Sequence, residues 1–198
     1  VIANPPFSLE NWGATEWSSD KYKRNIYGTP SDSCGDYAWI QHMICSMSSG
    51  KGRMAVVMPQ GILFRGNQEA EIRKQLVESD LIEAVVTLGD KLFYGTGLSP
   101  CFLIIRRMKQ AHHSGRILMI DGSKILTQKR AQNILEENDI DRLYSLYQNY
   151  SDEEDYSRIV TLQEIRDKEY NLSPNRYVVY HKEAIRPYAE VLAEFKQA

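Results

Sequence analysis

The four residues Asn4-Pro5-Pro6-Phe7 carry the most concentrated chemistry in this chain of 198 residues. They follow Val1-Ile2-Ala3, a short apolar run that predicts a strand ending at Asn4, because proline cannot donate to a central ladder. In open α/β sheets ligands gather beyond the carboxyl ends of the strands, so the turn stands where a site is expected. The side-chain oxygen of Asn4 and the carbonyl of Pro5 can each accept a hydrogen bond from one planar NH₂ group. With both hydrogens held, that nitrogen's lone pair is aimed at an electrophile and its pyramidal form is favoured. The prolines stiffen the turn that aims the carbonyl, and Phe7 supplies a ring face on which a base can stack. The same tetrapeptide also reads as a proline-rich turn closed by a core phenylalanine. The four residues alone leave both readings open.

The rest of the chain must hold that turn in place. Residues 8–35 read as a long polar loop holding Trp12, Trp17, Tyr22 and Tyr27. Within it Trp17, Lys21, Tyr22, Lys23 and Arg24 interleave rings with cations, a composition that suits DNA through stacking and phosphate contact. The same aromatics could equally pin the loop to the domain. A helix is predicted from Asp36, with Ala38, Trp39, Met43 and Met47 on a broad apolar face. Strands are predicted over Arg53–Met58, Leu81–Leu88, Cys101–Arg107 and Ile117–Ile120, with a helix capped by Asn67 between the first two. Near-continuous Val/Ile runs alternating with helices predict an α/β sheet covered on both faces.

After residue 130 the pattern becomes mostly helical. Asn138 or Asp139 can cap a helix with Ile140, Leu143, Tyr144 and Tyr147 on one face. Thr161-Leu162-Gln163-Glu164 is a capping box, and His181–Ala198 reads as a terminal helix. The domain division that follows is 1–130 for the sheet and 131–198 for a helical extension.

Composition narrows the class. Twenty-four Lys and Arg against 26 Asp and Glu give a net charge of −2, with 42% hydrophobic and 25% charged residues. These are the proportions of a folded globular protein and exclude disorder, collagen and coiled coil. No apolar run approaches the ~20 residues that a membrane helix needs. Cys34, Cys45 and Cys101 are odd in number and lack any C-x-x-C spacing, which argues against a disulfide framework or zinc site and fits a reducing cytoplasm. Residues 106–130 hold seven cations against Asp121, a net of +6, and face either nucleic acid or solvent. His112-His113 reads as a loop tip, His42 as a packing or capping histidine, and Asp152–Asp155 as a solvated acidic loop. An apolar strand beginning at Val1, with no initiator Met before it, reads as a segment of a longer protein.

Asn4-Pro5-Pro6-Phe7 after an apolar strand resembles the catalytic motif of S-adenosylmethionine-dependent amino methyltransferases, particularly the adenine-N6 DNA enzymes. The likeness extends along residues 1–178 to the modification subunits of type I restriction-modification systems. It is carried by Tyr27-Gly28-Thr29-Pro30, Asp36–Met43, Gly52–Pro59, Gly61–Gly66 and Ile72-Arg73. Further on it is carried by Leu92-Phe93-Tyr94-Gly95-Thr96-Gly97 with Pro100-Cys101, and by Tyr170–Tyr177.

The resemblance implies the C-terminal part of a Rossmann-like methyltransferase sheet followed by a mostly helical extension that serves subunit assembly. It implies a site-specific, adenine-specific DNA methyltransferase in which Asn4 and the Pro5 carbonyl hold the target N6 amino group, while Phe7 stacks on the extruded adenine. Asn4 would also border the S-adenosylmethionine site. That cofactor's glycine-rich loop is not in this sequence, and Gly95-Thr96-Gly97 is no substitute, since it precedes a strand. The implied partners are DNA, a specificity subunit and a restriction subunit, with two modification subunits per complex, in the cytoplasm. Methylation of a protein glutamine or an RNA, and a purely assembly role for residues 131–198, are the alternatives.

Overall fold

The computed structural model describes residues 1–93, 97–130 and 132–181. A mixed six-stranded sheet organises it, in the order β1-β2-β4-β3-β5-β6. The strands are β1 (Ile2–Ala3), β2 (Arg53–Pro59), β3 (Ile82–Leu88), β4 (Pro100–Arg106), β5 (Arg116–Gly122) and β6 (Ser157–Thr161). The helices are α1 (Ala14–Ser18), α2 (Asp36–Ser46), α3 (Asn67–Glu78), α4 (Glu137–Asn149) and α5 (Leu162–Asp167). β1 runs parallel to β2, and β3 parallel to β5, while β4 is antiparallel to both β2 and β3. The carboxyl ends of β1, β2, β3 and β5 therefore share one edge of the sheet with the start of β4.

Apolar patterning explains the layers. On one face Tyr37, Ile40, Met43 and Ile44 of α2 and Ile72, Leu76 and Val77 of α3 close over Met54, Val56 and Met58 of β2 and Leu103 and Ile105 of β4. On the other face Leu146 of α4 packs with Ala84, Val86, Leu88, Leu118 and Ile120, joined by Leu143 and Tyr147. Every residue of β3 is buried, as a strand covered on both faces requires. Cover is thinner at the β1 edge, where Ile2 is 92% exposed.

Four expectations need correction. The loop over 8–35 contains α1. Asn67 is the first residue of α3, held at a left-handed φ of 55° with no side-chain cap, and Gly66 takes the N-cap position. Helix α4 is capped by Glu136 and not by Asn138 or Asp139; Asp139 is its reciprocal partner, accepting from the Glu136 N–H at 2.9 Å. Within the stretch after residue 130, expected to be mostly helical, β6 is a strand the sequence reading did not include, and it pairs antiparallel with β5. The capping box at Thr161 does start α5, with Thr161 Oγ1 accepting from Glu164 N–H at 3.2 Å. The expected terminal helix, apart from His181, lies outside the described residues, as do Tyr94, Gly95 and Thr96.

Candidate active site

Asn4 leaves β1 at the shared edge of the sheet. It is exposed, and its side chain makes no hydrogen bond among the described residues. A polar side chain that neither caps nor bridges is free for a ligand. The turn beneath it is held tightly. The N–H of Ser8, directly after Phe7, donates to Asp36 Oδ1 at 2.7 Å, and Gly35 N–H donates to the Leu9 carbonyl at 2.9 Å. Ser8 itself sits at a left-handed φ of 49°, a conformation a non-glycine residue adopts only when its surroundings fix it.

Asp36 is the first residue of α2 and fully buried, so its charge needs partners. Arg65, in the segment between β2 and α3, supplies one. Its Nη1 donates to Asp36 Oδ2 at 2.8 Å and to Cys34 Sγ at 2.9 Å, and lies 3.3 Å from Glu69 Oε1. Its Nη2 donates to Ser8 Oγ at 3.2 Å. The guanidinium thus fills the cluster of Cys34, Asp36 and Glu69, whose geometry would otherwise suit a metal ion. Burial pushes the Cys34 thiol up to about 12, so it stays protonated and unreactive. Burial opposes the charge of Arg65, but the hydrogen bond to Asp36 together with the charges of Glu69, Cys34 and Asp36 outweighs it and raises the basicity of Arg65.

Phe7 is half-buried and meets Phe93 edge-on, with ring centroids 6.0 Å apart and planes at 76°. Gln60, at the end of β2, ties the floor together: its Nε2 donates to the carbonyls of Leu88 at 3.0 Å and Pro100 at 3.3 Å. The sequence reading did not single out Asp36, Arg65, Gln60 or Phe93 as site residues. Asp36, Gln60 and Arg65 lie at the boundaries of helices and strands, where a polar residue reads as an ordinary end of an element.

The loop residues separate into two groups. Trp17 is buried, edge-on to Trp12 at 5.8 Å, with the Arg24 guanidinium 5.0 Å from its ring. Arg24 is also paired with Asp20 at 2.6 Å, which holds the Asp20 carboxyl well below the usual carboxylate range. These two residues pin the loop. Lys21, Tyr22 and Lys23 remain exposed. The basic stretch is similarly committed at several positions. Arg106 pairs with Glu83, Lys109 with Asp80 and Lys129 with Glu136, while Arg107 donates to the Ile44 carbonyl at 2.7 Å. His42 contacts Arg24 at 3.2 Å, but His113 is not a loop tip: it is buried, stacked on Tyr150 with centroids 3.4 Å apart. Within the acidic loop Asp152 accepts from Ile159 N–H at 2.7 Å and Glu153 pairs with Arg142, so part of it is structural.

Gly89, just after β3, and Gly122, the last residue of β5, lie at the same edge of the sheet. A Cβ at Gly89 would fall 2.2 Å from Leu126 Cδ2, and one at Gly122 would fall 2.6 Å from Leu143 Cδ2 and 2.8 Å from the Thr87 carbonyl. The chain's own atoms fill both places. Neither glycine therefore leaves open space for a ligand at its Cα.

Comparison with known proteins agrees with this architecture. The family model for N-6 DNA Methylase matches residues 1–185. The Type I restriction enzyme MjaVII methylase subunit of Methanocaldococcus jannaschii is 37% identical over 100% of this chain and 35% of its own length. The HindI methylase subunit of Haemophilus influenzae is 31% identical over 90% of this chain and 41% of its own length. The crystal structure of the type I restriction-modification system methyltransferase subunit from Streptococcus thermophilus superposes with a TM-score of 0.81 at 28% identity, covering 89% of this chain and 37% of that one. The chain thus spans between a third and a half of the length of these relatives. An α/β sheet of this topology, ending β1 in Asn-Pro-Pro-Phe and matched along nearly its whole length, belongs to the N-6 DNA Methylase family and is similar to type I restriction enzyme methylase subunits.

Proposed function

We propose that the full-length parent of this chain transfers a methyl group from S-adenosylmethionine to adenine N6 within a specific DNA sequence. The observation that carries this reading is Asn4: an exposed amide with no side-chain hydrogen bond among the described residues, at the carboxyl end of a strand, on a turn held by buried charges. Asn4 Oδ1 and the Pro5 carbonyl accept the two hydrogens of the target amine and turn its lone pair outward. Phe7, steadied edge-on by Phe93, offers a face to the extruded base. The cofactor supplies an electrophilic methyl on sulfonium; these residues act on the nucleophile alone. Exposed Lys21, Tyr22 and Lys23 are the DNA contacts we propose from the loop.

In this reading the parent works as the modification subunit of a type I complex, with a specificity subunit that selects the sequence and a restriction subunit. Two modification subunits are present per complex, and residues 131–198 contribute to its assembly. The near-neutral net charge of −2 supports that division, since tight DNA binding needs more cations than this chain has in surplus. The test is to purify the full-length subunit with its specificity partner, as wild type and Asn4→Ala, and to quantify N6-methyladenine in host DNA. Loss of product with assembly intact is expected; near-full activity of Asn4→Ala overturns the assignment.

A further inference from the structure

We propose that Asp36 and Arg65 are positioning residues for methyl transfer, forming a buried ionic clamp that sets the exit of the Asn4–Phe7 turn. The inference rests on the methyl-transfer reading above and adds to it the residues that aim the amine-holding groups.

The geometry is direct. The two carboxylate oxygens of Asp36 do different work: Oδ1 accepts from the Ser8 backbone at 2.7 Å, and Oδ2 accepts from Arg65 at 2.8 Å. Arg65 then returns to the same residue, reaching Ser8 Oγ at 3.2 Å through its second terminal nitrogen. Ser8 is thereby gripped at backbone and side chain by two residues that face each other. The grip sits one peptide from Phe7, and it fixes a left-handed residue that free chain would leave. Asp36 gains from its place in the first turn of α2, where the helix dipole favours a negative charge. Glu69, buried in the first turn of α3, adds a second carboxylate 3.3 Å from the guanidinium, so the clamp joins two helices to the catalytic turn.

Gly61 makes room for the clamp. A Cβ there would fall 2.4 Å from Arg65 Nε and 2.5 Å from Nη2, so the close approach of the guanidinium depends on glycine at that position. An ion pair placed only for stability would not need to grip the residue next to the stacking ring, and buried ion pairs often contribute little net stability.

The experiment uses the full-length modification subunit in its complex, with the variants Asp36→Asn, Arg65→Lys, Arg65→Gln, Ser8→Ala and Gly61→Ala beside Asn4→Ala. It measures kcat, KM for DNA, melting temperature, and the fluorescence of a 2-aminopurine placed at the target adenine. Misplacing a reacting group by about 1 Å costs on the order of 10²-fold in rate, so Arg65→Gln is expected to lower kcat by about 10²-fold. KM for DNA and the 2-aminopurine signal should stay near wild type, because base capture is retained while aim is lost. Ser8→Ala and Gly61→Ala should show smaller losses of the same kind, and Arg65→Lys should restore part of the loss. Should Asp36→Asn fail to fold, the Ser8 and Gly61 variants still decide. Wild-type kcat in Arg65→Gln and Gly61→Ala overturns the clamp, as does a fall in kcat that only follows the fall in melting temperature. An active Asn4→Ala overturns the underlying reading instead, so the two failures are distinguishable.

Discussion

At the scale of single residues, the role proposed for Asn4 and a packing role for its turn predict different outcomes. Asn4 is exposed, with no side-chain hydrogen bond among the described residues, whereas Asp36 and Arg65 bond to each other and to Ser8 at the exit of the turn. Asn4→Ala in the full-length enzyme should therefore lower the methylation rate by about 10²–10³, roughly 3–4 kcal/mol, since one preorganised acceptor is lost. Its melting temperature should hardly move. Asn4→Asp should be milder, because a carboxylate oxygen still accepts. Phe7→Ala should weaken capture of the extruded base by about 1–3 kcal/mol if stacking is the main contribution, while Phe7→Tyr and Phe7→Trp keep a ring face and much of the activity. Rates measured beside thermal denaturation decide: a turn with only a packing role predicts a stable rate for Asn4→Ala and a lower melting temperature for Phe7→Ala.

At the scale of elements, capping and the packing of α4 on the sheet make separate predictions. Thr161 Oγ1 satisfies the N–H of Glu164, and Glu164 Oε2 answers Thr161 N–H at 2.9 Å, a reciprocal box at the start of α5. Thr161→Ala should destabilise the 198-residue chain by about 1 kcal/mol in urea unfolding, with the slope unchanged; an unchanged midpoint would show that β6 holds α5 without the box. Helix α4 reaches the sheet through Tyr147, whose hydroxyl donates to Glu83 Oε2 at 2.8 Å. Glu83 is buried where the pairing of β3 with β4 slips register, and it also pairs with Arg106 at 3.0 Å. His113 Nδ1 lies 3.5 Å from Glu83 without a hydrogen bond. Burial, and His112 beside it, hold the His113 imidazole below its ordinary value, against the upward pull of Glu83. The unfolded chain then binds the proton more readily. Stability is complete above the ordinary histidine value of about 6.5 and declines as pH falls below it. Urea midpoints taken between about pH 7.5 and 5.5 should fall for wild type and fall less for His113→Phe, which keeps a ring on Tyr150. Equal slopes would remove His113 as the cause.

At the scale of the molecule, the sheet is asymmetric. The interior strands are covered on both faces, but β1 is an edge with Ile2 92% exposed, beside a groove of about 350 Å³ lined by Val1, Met54, Ala55 and Ile104. The glycines at the neighbouring strand ends are already filled by Leu126 and Leu143. The 198-residue chain by itself is therefore expected to bind S-adenosylmethionine weakly or not at all and to leave DNA unmethylated. Isothermal titration checks this, and micromolar affinity would show that the described residues hold more of the cofactor than their geometry suggests. Among the described residues no helix is long and apolar enough to cross a membrane.

The sequence by itself determined most of the elements, though neither α1 nor β6, together with the Asn-Pro-Pro-Phe turn at a strand end and the family to which the chain is similar. Those signals are local: proline stops a ladder, unbroken Val/Ile runs make buried strands, and Thr161 with Glu164 three residues later announces the start of a helix. Tertiary structure alone decided which cations are free, because Arg24 and Trp17 find partners from their own loop while Arg106 finds Glu83 from another strand. It also decided that β6 joins the sheet. Ser157–Thr161 has only Ile159 and Val160 as large apolar residues, and an edge strand draws its stability from the ladder of a neighbour about forty residues away in sequence, here β5. The cluster that holds the Asn4–Phe7 turn was hidden for the same reason. Ser8, Asp36, Arg65 and Glu69 meet only once three segments are folded together, and their bonds depend on angles and distances that no spacing in the chain encodes.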